Sequence, residues 1–340
     1  MEDKKQLNFA LIGSGRIGRM HAEHLTHRVP GVTLVAVTDI VEEAARSCAL
    51  EFGIAKVAKD PGEIFSDSEV DAVVICSSTD THSEFIIGAA EAGKSIFCEK
   101  PIDFDLDRID KALGAVERGG VNLQIGFNRR FDPSFLRARE LIVGGKVGAI
   151  HQLRITSRDP APPPLEYIKV SGGIFLDMMI HDFDMARYLT GSEVEEIFAT
   201  GGVMIDPKIG EAGDIDTATV ILKFTNGAIG VIENSRQAVY GYDQRIEVFG
   251  DKGMIEASNV SPNSVTVFSS DTLSADKPPY FFIERYAEAY INEMREFVTS
   301  VTKDKQPSVS GIDGRAPVVI GKAAGLSLQE KRPVRIEEIG

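Results

Sequence analysis

The sequence predicts an α/β protein of two domains, in which an N-terminal, doubly wound parallel sheet precedes an α+β domain with a large, mostly antiparallel open sheet. Three observations indicate this fold class. Short apolar runs alternate with helical patterns from Asn8 to Ile125, as expected for parallel strands joined by helices. A glycine-rich turn follows the first run. From about Ala149, strand-like segments follow one another with few helices between them, which favours antiparallel pairing.

The first domain, predicted over residues 1–127, has strands where apolar residues run continuously, because a parallel strand covered on both faces has no polar side. These runs are residues 8–12, 32–38, 70–76, 95–98 and 121–125. The second domain is predicted over residues 128–340, with a C-terminal segment that can pack back on the first. Its strands are expected at roughly 150–157, 194–204, 216–224, 228–237, 244–249, 253–257 and 264–269.

Helices are also expected in the second domain. Long helices are predicted over residues 284–301 and 313–329. Apolar residues at helical spacing after Gly173 predict one further helix, which carries Asp177 and His181 one turn apart on one face.

Composition excludes several function classes. The chain has 340 residues and a net charge of -14, without a cluster of Lys and Arg, so binding to nucleic acid or to a membrane surface is not expected. The charged residues 1–6 precede an apolar run too short for a signal peptide, and no stretch has the length of a membrane span. The three cysteines have no metal-binding spacing and indicate a reducing, cytoplasmic setting.

The glycine-rich turn predicts a dinucleotide site. Gly13, Gly15 and Gly18 form G-x-G-x-x-G between a strand and a helix, where glycines permit a tight turn and let a pyrophosphate approach the backbone. Arg16 and Ile17 begin the helix, whose N-terminal N–H groups favour an anion.

Asp39 ends the second predicted strand, about 20 residues beyond the turn, where an acidic residue binds the ribose hydroxyls of the cofactor. Ile40 and Val41 follow, and neither can hold a 2′-phosphate, so NAD is predicted rather than NADP. The alternative is that Asp39 caps the helix predicted over residues 41–52.

Small polar residues follow the third predicted strand. Ser77, Ser78 and Thr79 are placed to line the cofactor crevice at the carboxyl end of the sheet. His82 is a further candidate at this edge, and the alternative is a helix residue without chemistry.

Three side chains carry the predicted chemistry. Hydride transfer from an alcohol needs a base for the hydroxyl proton and an anchor for the oxygen. Lys100 stands after Glu99 at the end of a predicted parallel strand, where ligands of such sheets bind. His181 suits proton abstraction near neutral pH, and Asp177 can support its charged form. The alternatives are a structural Asp–His pair or a metal pair, but no third ligand is evident and no metal is predicted.

The glycine turn, the Glu99-Lys100-Pro101 triplet and the Asp177/His181 segment together resemble the Gfo/Idh/MocA oxidoreductases over nearly the whole chain. Within that family, residues 157–184 resemble the inositol dehydrogenases. The resemblance implies a Rossmann domain for NAD, with Glu99 and Lys100 beside the cofactor, and oxidation of myo-inositol to scyllo-inosose. It assigns Lys100 to anchor the substrate, His181 to act as base and Asp177 to support it.

The resemblance also implies a cis peptide bond before Pro101 and further substrate contacts. These contacts are Asn128, Arg129, Asp159 and Tyr242. For Arg129 and its neighbour Arg130 the alternative is ion pairing within the protein. Tyr240 and Tyr242 would share one face if they lie in a strand.

Other interpretations remain open at the level of sequence. The substrate can be another inositol isomer or a pyranose sugar, or the fold can serve an NAD-dependent glycoside hydrolase. A non-catalytic cofactor sensor is a further alternative, but a sensor does not need the proton-transfer residues Lys100, Asp177 and His181. Family members pair their C-terminal sheets, which implies a homo-oligomer, a tetramer or a dimer.

Overall fold

The computed structural model describes residues 6–340, and the charged segment 1–5 lies outside the described residues. The chain divides into two compact units. The first consists of the residues up to Asn128 together with Glu288–Ala316, and the second of Arg129–Ala287 and Pro317–Gly340. Residues 288–316, which the sequence assigns to the second domain, thus belong to the first unit. Within residues 6–340, no helix combines the length and the apolar character that a membrane crossing requires.

The strands and helices have these bounds. The strands are β1 (Leu7–Ile12), β2 (Val32–Thr38), β3 (Lys56–Val57), β4 (Ala72–Ile75), β5 (Ser95–Cys98), β6 (Leu123–Ile125), β7 (Ile150–Arg158), β8 (Val194–Gly202), β9 (Thr217–Phe224), β10 (Ile229–Ser235), β11 (Asp243–Gly250), β12 (Gly253–Ala257), β13 (Thr266–Phe268), β14 (Leu273–Ala275) and β15 (Val334–Arg335). The helices are α1 (Arg16–His27), α2 (Glu42–Phe52), α3 (Pro61–Phe65), α4 (Thr79–Glu91), α5 (Leu106–Gly119), α6 (Pro133–Val143), α7 (Leu165–Ile168), α8 (Gly173–Asp177), α9 (Ile180–Thr190), α10 (Pro207–Glu211), α11 (Phe282–Arg285), α12 (Ala287–Lys303) and α13 (Gly311–Glu330).

The first unit is built on a six-stranded sheet in the order β3-β2-β1-β4-β5-β6. Every neighbouring pair is parallel. The order reverses between β1 and β4, where the crevice of a doubly wound sheet opens. The predicted parallel, doubly wound sheet is confirmed.

Helix α12 completes the core of the first unit. Phe297 on this helix packs edge-on against Phe9 of β1, with ring centroids 5.5 Å apart, and lies 5.9 Å from the ring of Phe97 on β5. All three side chains are buried. The helix comes from far along the chain because its apolar face needs a buried partner, and this sheet offers one.

The second unit is built on a seven-stranded sheet in the order β12-β11-β7-β10-β9-β8-β15. Strands β7 and β10 are parallel, and the other neighbours are antiparallel. The predicted mostly antiparallel sheet is confirmed. Because β7 and β10 are parallel, Arg158 and Ser235 end them side by side at one edge.

The prediction of a single helix after Gly173 is wrong, because the segment forms two short helices, α8 and α9. The N–H groups of Met178 and Met179 both donate to the carbonyl of Ile174, at 3.2 and 2.8 Å, so the hydrogen-bond register slips by one residue. Asp177 therefore ends one helix, and His181 is the second residue of the next.

Two smaller expectations also need correction. The long helix predicted from Glu284 is divided at Tyr286 into α11 and α12. Tyr240 and Tyr242 do not lie in a strand, because Gly241 between them has φ of 125° and β11 begins only at Asp243. Tyr240 is partly exposed while Tyr242 is buried, so the two rings have different surroundings.

Candidate active site and cofactor site

The glycine turn of the first unit has the shape that a pyrophosphate requires. A Cβ on Gly13, which has φ of 92°, would lie 2.6 Å from the backbone carbon of Cys76, and one on Gly18 would lie 2.0 Å from the carbonyl oxygen of Gly13. Nothing lies within 4 Å of the corresponding position on Gly15. The first and third glycines are thus needed for packing, whereas the second leaves open space.

The helix after this turn begins with unshielded N–H groups. Gly15 is the N-cap of α1, and no side chain caps the helix. Arg16 is exposed and Ile17 half-buried in the first turn. The open space at Gly15 and the uncapped N-terminus fit a phosphate-bearing cofactor.

Asp39 lies against the glycine turn. Its Oδ2 accepts hydrogen bonds from the Ser14 amide at 2.6 Å and the Ser14 hydroxyl at 3.0 Å, and its Oδ1 accepts one from the Val41 amide at 2.9 Å. The N-cap of α2 is Val41, not Asp39. The side chain of Ile40 is fully exposed and offers no cation for a 2′-phosphate. These residues fit the ribose of NAD.

The edge after β4 holds the small polar residues that the sequence singles out. The hydroxyls of Ser77 and Thr81 are 2.7 Å apart, Ser78 is the N-cap of α4 and Thr79 is its first residue. His82 is buried, with Nδ1 2.8 Å from the Pro101 carbonyl and Nε2 3.0 Å from the Ser77 carbonyl. Burial lowers the pKa of His82. His82 thus links the segment after β4 to Pro101. Contact between His82 and a cofactor stays a prediction.

Glu99 and Lys100 follow β5 directly. Both are half-buried, and the peptide bond between Lys100 and Pro101 is cis, as the resemblance implies. The Glu99 carboxylate lies 2.7 Å from Nε2 of His21 on α1. A Cβ on Gly126 would lie 3.0 Å from the same carboxylate, so the first unit packs tightly around it.

Glu293 joins Glu99 and His21 in a buried cluster that sequence reasoning missed. One ligand-type atom from each lies within 4.8 Å of the others. Burial, followed by the charge of Glu99, raises the pKa of Glu293 well above its usual range. The three side chains thus form a buried group of one imidazole and two carboxyls in the first unit.

The predicted residues of the second unit gather at the edge where β7 and β10 end. Asp159 follows β7, and its amide donates to the Ser235 carbonyl at 2.9 Å, which extends the pairing of the two strands. Arg236 follows β10 at the same edge, and its side chain is 1 % exposed. Its guanidinium lies 3.2 Å from the carboxylate of Asp177, 3.6 Å from Asp214 and 4.0 Å from Asp159.

Asp177 receives a donor on each carboxylate oxygen. The hydroxyl of Tyr167 donates to Oδ1 at 2.8 Å, and Arg236 donates to Oδ2 at 3.2 Å. A donor on each oxygen fixes the orientation of this carboxylate. Asp159 has a different environment, because burial raises its pKa to about 7 and the charge of Arg236 only partly opposes this.

His181 is half-buried near the start of α9, and two buried ion pairs hold that helix. Arg129 contacts Asp182 at 2.5 Å, and Arg130 contacts Asp184 at 2.6 Å. Both arginines thus make the ion contacts that were the alternative interpretation. Contact between Arg129 and a substrate stays a prediction.

The remaining substrate candidates are buried. Asn128 is 2 % exposed and belongs to the first unit. Tyr242 belongs to the second unit, and its ring meets that of Tyr286 edge-on at a centroid distance of 6.0 Å. Burial raises the pKa of Tyr242 well above its usual range, and the positive charge of Arg129 opposes this shift. The guanidinium of Arg129 lies 5.6 Å from the centre of the same Tyr286 ring, so Tyr242 and Arg129 share this neighbour.

The sequence held a signal for one of the residues that were missed. Arg236 is a charged residue near the end of the strand predicted over residues 228–237, much as Lys100 stands at the end of the strand predicted over residues 95–98. Tyr167, Asp214 and Glu293 carry no such pattern, because their roles depend on tertiary contacts beyond the reach of local periodicity.

Comparison with known proteins agrees with this geometry. Residues 7–127 match the model of an oxidoreductase family with an NAD-binding Rossmann fold, and residues 135–256 match the GFO/IDH/MocA C-terminal domain. The chain is 50% identical over 333 residues to myo-inositol 2-dehydrogenase of Thermotoga maritima, covering 98% of this chain and 99% of that protein. It is 46% identical over 332 residues to inositol 2-dehydrogenase of Rhizobium meliloti, covering 97% and 99%.

A solved structure shows the same architecture with ligands bound. The crystal structure of scyllo-inositol dehydrogenase from Lactobacillus casei with NAD(H) and scyllo-inositol has a TM-score of 0.92 and 29% identity, covering 98% of this chain and 100% of that one.

The parallel sheet with its glycine turn, and the second unit with its histidine and carboxylates, define an NAD-binding oxidoreductase of two domains. The chain belongs to the GFO/IDH/MocA family.

Proposed function

We propose that the protein is an NAD-dependent inositol 2-dehydrogenase, which oxidises myo-inositol to scyllo-inosose by hydride transfer. The observation that carries the proposal is the Asp177–His181 segment, with its donors to Asp177, in a chain half identical to a myo-inositol 2-dehydrogenase over nearly its whole length.

The first unit would bind the cofactor through the glycine turn, the uncapped start of α1 and the Asp39 carboxylate. NAD, when bound, supplies the acceptor for the hydride that leaves the carbinol carbon. Lys100 would donate a hydrogen bond to the reacting hydroxyl and stabilise negative charge on its oxygen as the proton leaves. Ser77, Ser78 and Thr79 would line the cofactor site.

The second unit would supply the base. His181 would take the hydroxyl proton, and because its Nδ1 is buried, we assign Nε2 as the accepting atom. The ionised carboxylate of Asp177 would stabilise the imidazolium that results. The proton and the hydride leave the same alcohol, so a ketone forms without a metal in the step. Asn128, Arg129, Asp159 and Tyr242 would hydrogen-bond the other ring hydroxyls.

Oxidation of scyllo-inositol is the second candidate. The likeness to the Lactobacillus casei enzyme with bound scyllo-inositol favours it, because the two chains share one fold over nearly their full lengths. The two polyols differ in the orientation of one hydroxyl, so the residues that contact the ring decide between them.

Absorbance of NADH tests the proposal. The protein is mixed with NAD and one polyol at a time from a panel of inositol isomers and hexoses. We expect NADH to form with inositols, fastest with myo-inositol, and NADPH to form more slowly when NADP replaces NAD. A faster rate with scyllo-inositol would favour the second candidate, and no NADH with any polyol would contradict both. A faster rate with NADP would contradict the role of Asp39.

A further inference from the structure

We propose that Arg236 is a positioning residue for the proposed dehydrogenase reaction: it holds the carboxylate of Asp177 in place and sets the charge state of Asp159 beside it. This inference rests on the proposed function. It concerns a side chain that acts through the two aspartates rather than by touching the reacting atoms.

The placement of Arg236 follows from the sheet. Strands β7 and β10 are parallel neighbours, so the residues after them meet at one edge. Arg236 follows β10, Asp159 follows β7, and the Asp159 amide donates to the Ser235 carbonyl at 2.9 Å. The Arg236 amide donates to the Asp216 carbonyl at 2.8 Å, so β9 also fixes its backbone. The backbone that carries the guanidinium is therefore held firmly in place.

From this point the guanidinium reaches both ends of helix α8. It donates to Asp177, the last residue of α8, at 3.2 Å. It also lies 3.6 Å from Asp214, whose Oδ1 accepts the amide of Ile174 in the first turn of α8, at 3.0 Å. A helix of only five residues has little stability of its own, so these contacts fix the direction of the Asp177 side chain.

Charge balance gives the second part of the role. The guanidinium lies within 4.0 Å of three carboxylates, those of Asp159, Asp177 and Asp214. The charges of Arg129 and Asp182 also act on Asp159, and the hydroxyl of Tyr167 donates to Asp177. One buried cation thus faces three carboxylates, and the farthest of the three, that of Asp159, lies at 4.0 Å. Burial raises the pKa of Asp159 to about 7, whereas Asp177 receives two direct donors. A protonated aspartate can donate to a polyol hydroxyl, and an ionised one can only accept from it.

Two replacements of Arg236 test the proposal. Arg236→Gln removes the charge and keeps a polar side chain. Arg236→Lys keeps the charge but replaces the planar guanidinium, with its several N–H donors, by a single ammonium group. Arg187→Gln is the matched control, because Arg187 is a buried arginine of α9 whose ion pair is with Glu193, at 2.7 Å, outside this cluster. The measurements are kcat and KM for the inositol that wild type oxidises fastest, each as a function of pH.

Arg236→Gln removes a positive charge that lowers the pKa of Asp159, so that pKa rises further, and it removes a donor that holds Asp177. We expect the acid limb of the kcat profile to move to higher pH and kcat at neutral pH to fall about 100-fold, as for a displaced catalytic group. Arg236→Lys should restore the acid limb to its wild-type position and recover part of kcat. The control should keep the wild-type profile.

A measurement without turnover separates this proposal from the proposed function. The pKa of Asp159 is followed by NMR in protein with ¹³C-labelled aspartate carboxyls, with Asp159→Asn to assign the signal. We expect Arg236→Gln to raise that pKa and Arg236→Lys to leave it close to the wild-type value. If wild type forms no NADH with any polyol, the proposed function fails, and this titration still decides the role of Arg236.

Two results would overturn the role of Arg236. One is an unchanged pKa of Asp159 in Arg236→Gln, and the other is an acid limb that moves no further in that variant than in the Arg187 control. If Arg236→Gln does not fold, Arg236→Lys decides, since an acid limb that moves upward although the charge is kept would contradict the proposal.

Discussion

Aspartates of the second unit show that surroundings, rather than residue type, decide the chemistry of a carboxyl group. Burial raises the pKa of Asp159 to about 7. Burial also opposes ionisation of Asp216, but its carboxylate accepts three backbone N–H groups and the Thr217 hydroxyl, and these donors hold its pKa below the usual range. At the sheet edge where β7 and β10 end, one carboxyl group is thus held as a carboxylate by backbone N–H groups, whereas another remains available to exchange a proton.

The proposed base gives a prediction at the scale of one residue. His181→Ala should lower kcat by about 10²–10⁴-fold, the usual contribution of general base catalysis, while NAD binding to the first unit persists. Steady-state kinetics with the preferred inositol and an NAD titration by fluorescence measure the two quantities. His151→Ala is the control, because His151 is exposed on β7. Near-normal turnover in His181→Ala would return the Asp177–His181 segment to a structural role.

At the scale of elements, the interruption between α8 and α9 separates the two residues that the sequence places on one helix. The shared acceptor at Ile174 allows α8 to end at Asp177, where Tyr167 and Arg236 reach the carboxylate. Helix α9 is held independently by its ion pairs with Arg129 and Arg130. Each member of the proposed acid–base pair therefore has its own support.

The glycine turn gives a prediction at the same scale, with two variants that should fail differently. Gly15→Ala places a methyl group where the protein has open space, so the melting temperature should change little while the Kd for NAD rises at least about tenfold, or ~1.4 kcal/mol. Gly18→Ala drives a methyl group into the Gly13 carbonyl and should destabilise the fold by about 1–3 kcal/mol or more.

Thermal unfolding and NAD titration distinguish the two effects. If Gly15→Ala binds NAD as tightly as wild type does, the open space at the turn is not where the pyrophosphate approaches. If Gly18→Ala melts as wild type does, the close approach to Gly13 is not needed for packing.

At the scale of the whole molecule, the return of α12 to the first unit places Glu293 beside Glu99 and His21. Its carboxyl group is fully buried, and neither of its oxygens has a hydrogen-bond partner within residues 6–340. The raised pKa of Glu293 means that the folded protein keeps a proton which the unfolded chain releases. Folding stability should therefore fall as pH rises from the unfolded-state pKa of a glutamate, about 4.3, toward the raised folded-state pKa.

Glu293→Gln should remove this dependence. The amide cannot ionise, so the variant should melt at a higher temperature than wild type at pH 8, with the difference shrinking toward pH 5. Differential scanning calorimetry across this range measures both slopes. Glu288→Gln, on the exposed side of the same helix, is the control and should keep the wild-type slope. A wild-type melting temperature in Glu293→Gln at pH 8 would contradict a neutral Glu293.

The sequence predicted most elements of both units and the candidate residues at strand ends, because both depend on local patterns. Continuous apolar runs predicted the parallel strands, and glycines between a strand and a helix predicted the turn that holds Asp39. Interactions across the fold could not be predicted in this way. The contact of Arg236 with Asp177 joins residues 59 positions apart, and that of Glu293 with Glu99 depends on a helix that returns from the far end of the chain.

By itself, then, the sequence determined the order of strands and helices, the nucleotide-binding turn and the identity of the candidate base and its supporting carboxylate. The tertiary structure decided how those groups are charged and held. The physical reason is that periodicity and turn chemistry act between residues close in sequence, whereas the protonation of a carboxyl group depends on which charges and donors the fold brings to it. At the edge formed by β7 and β10, that deciding charge is Arg236.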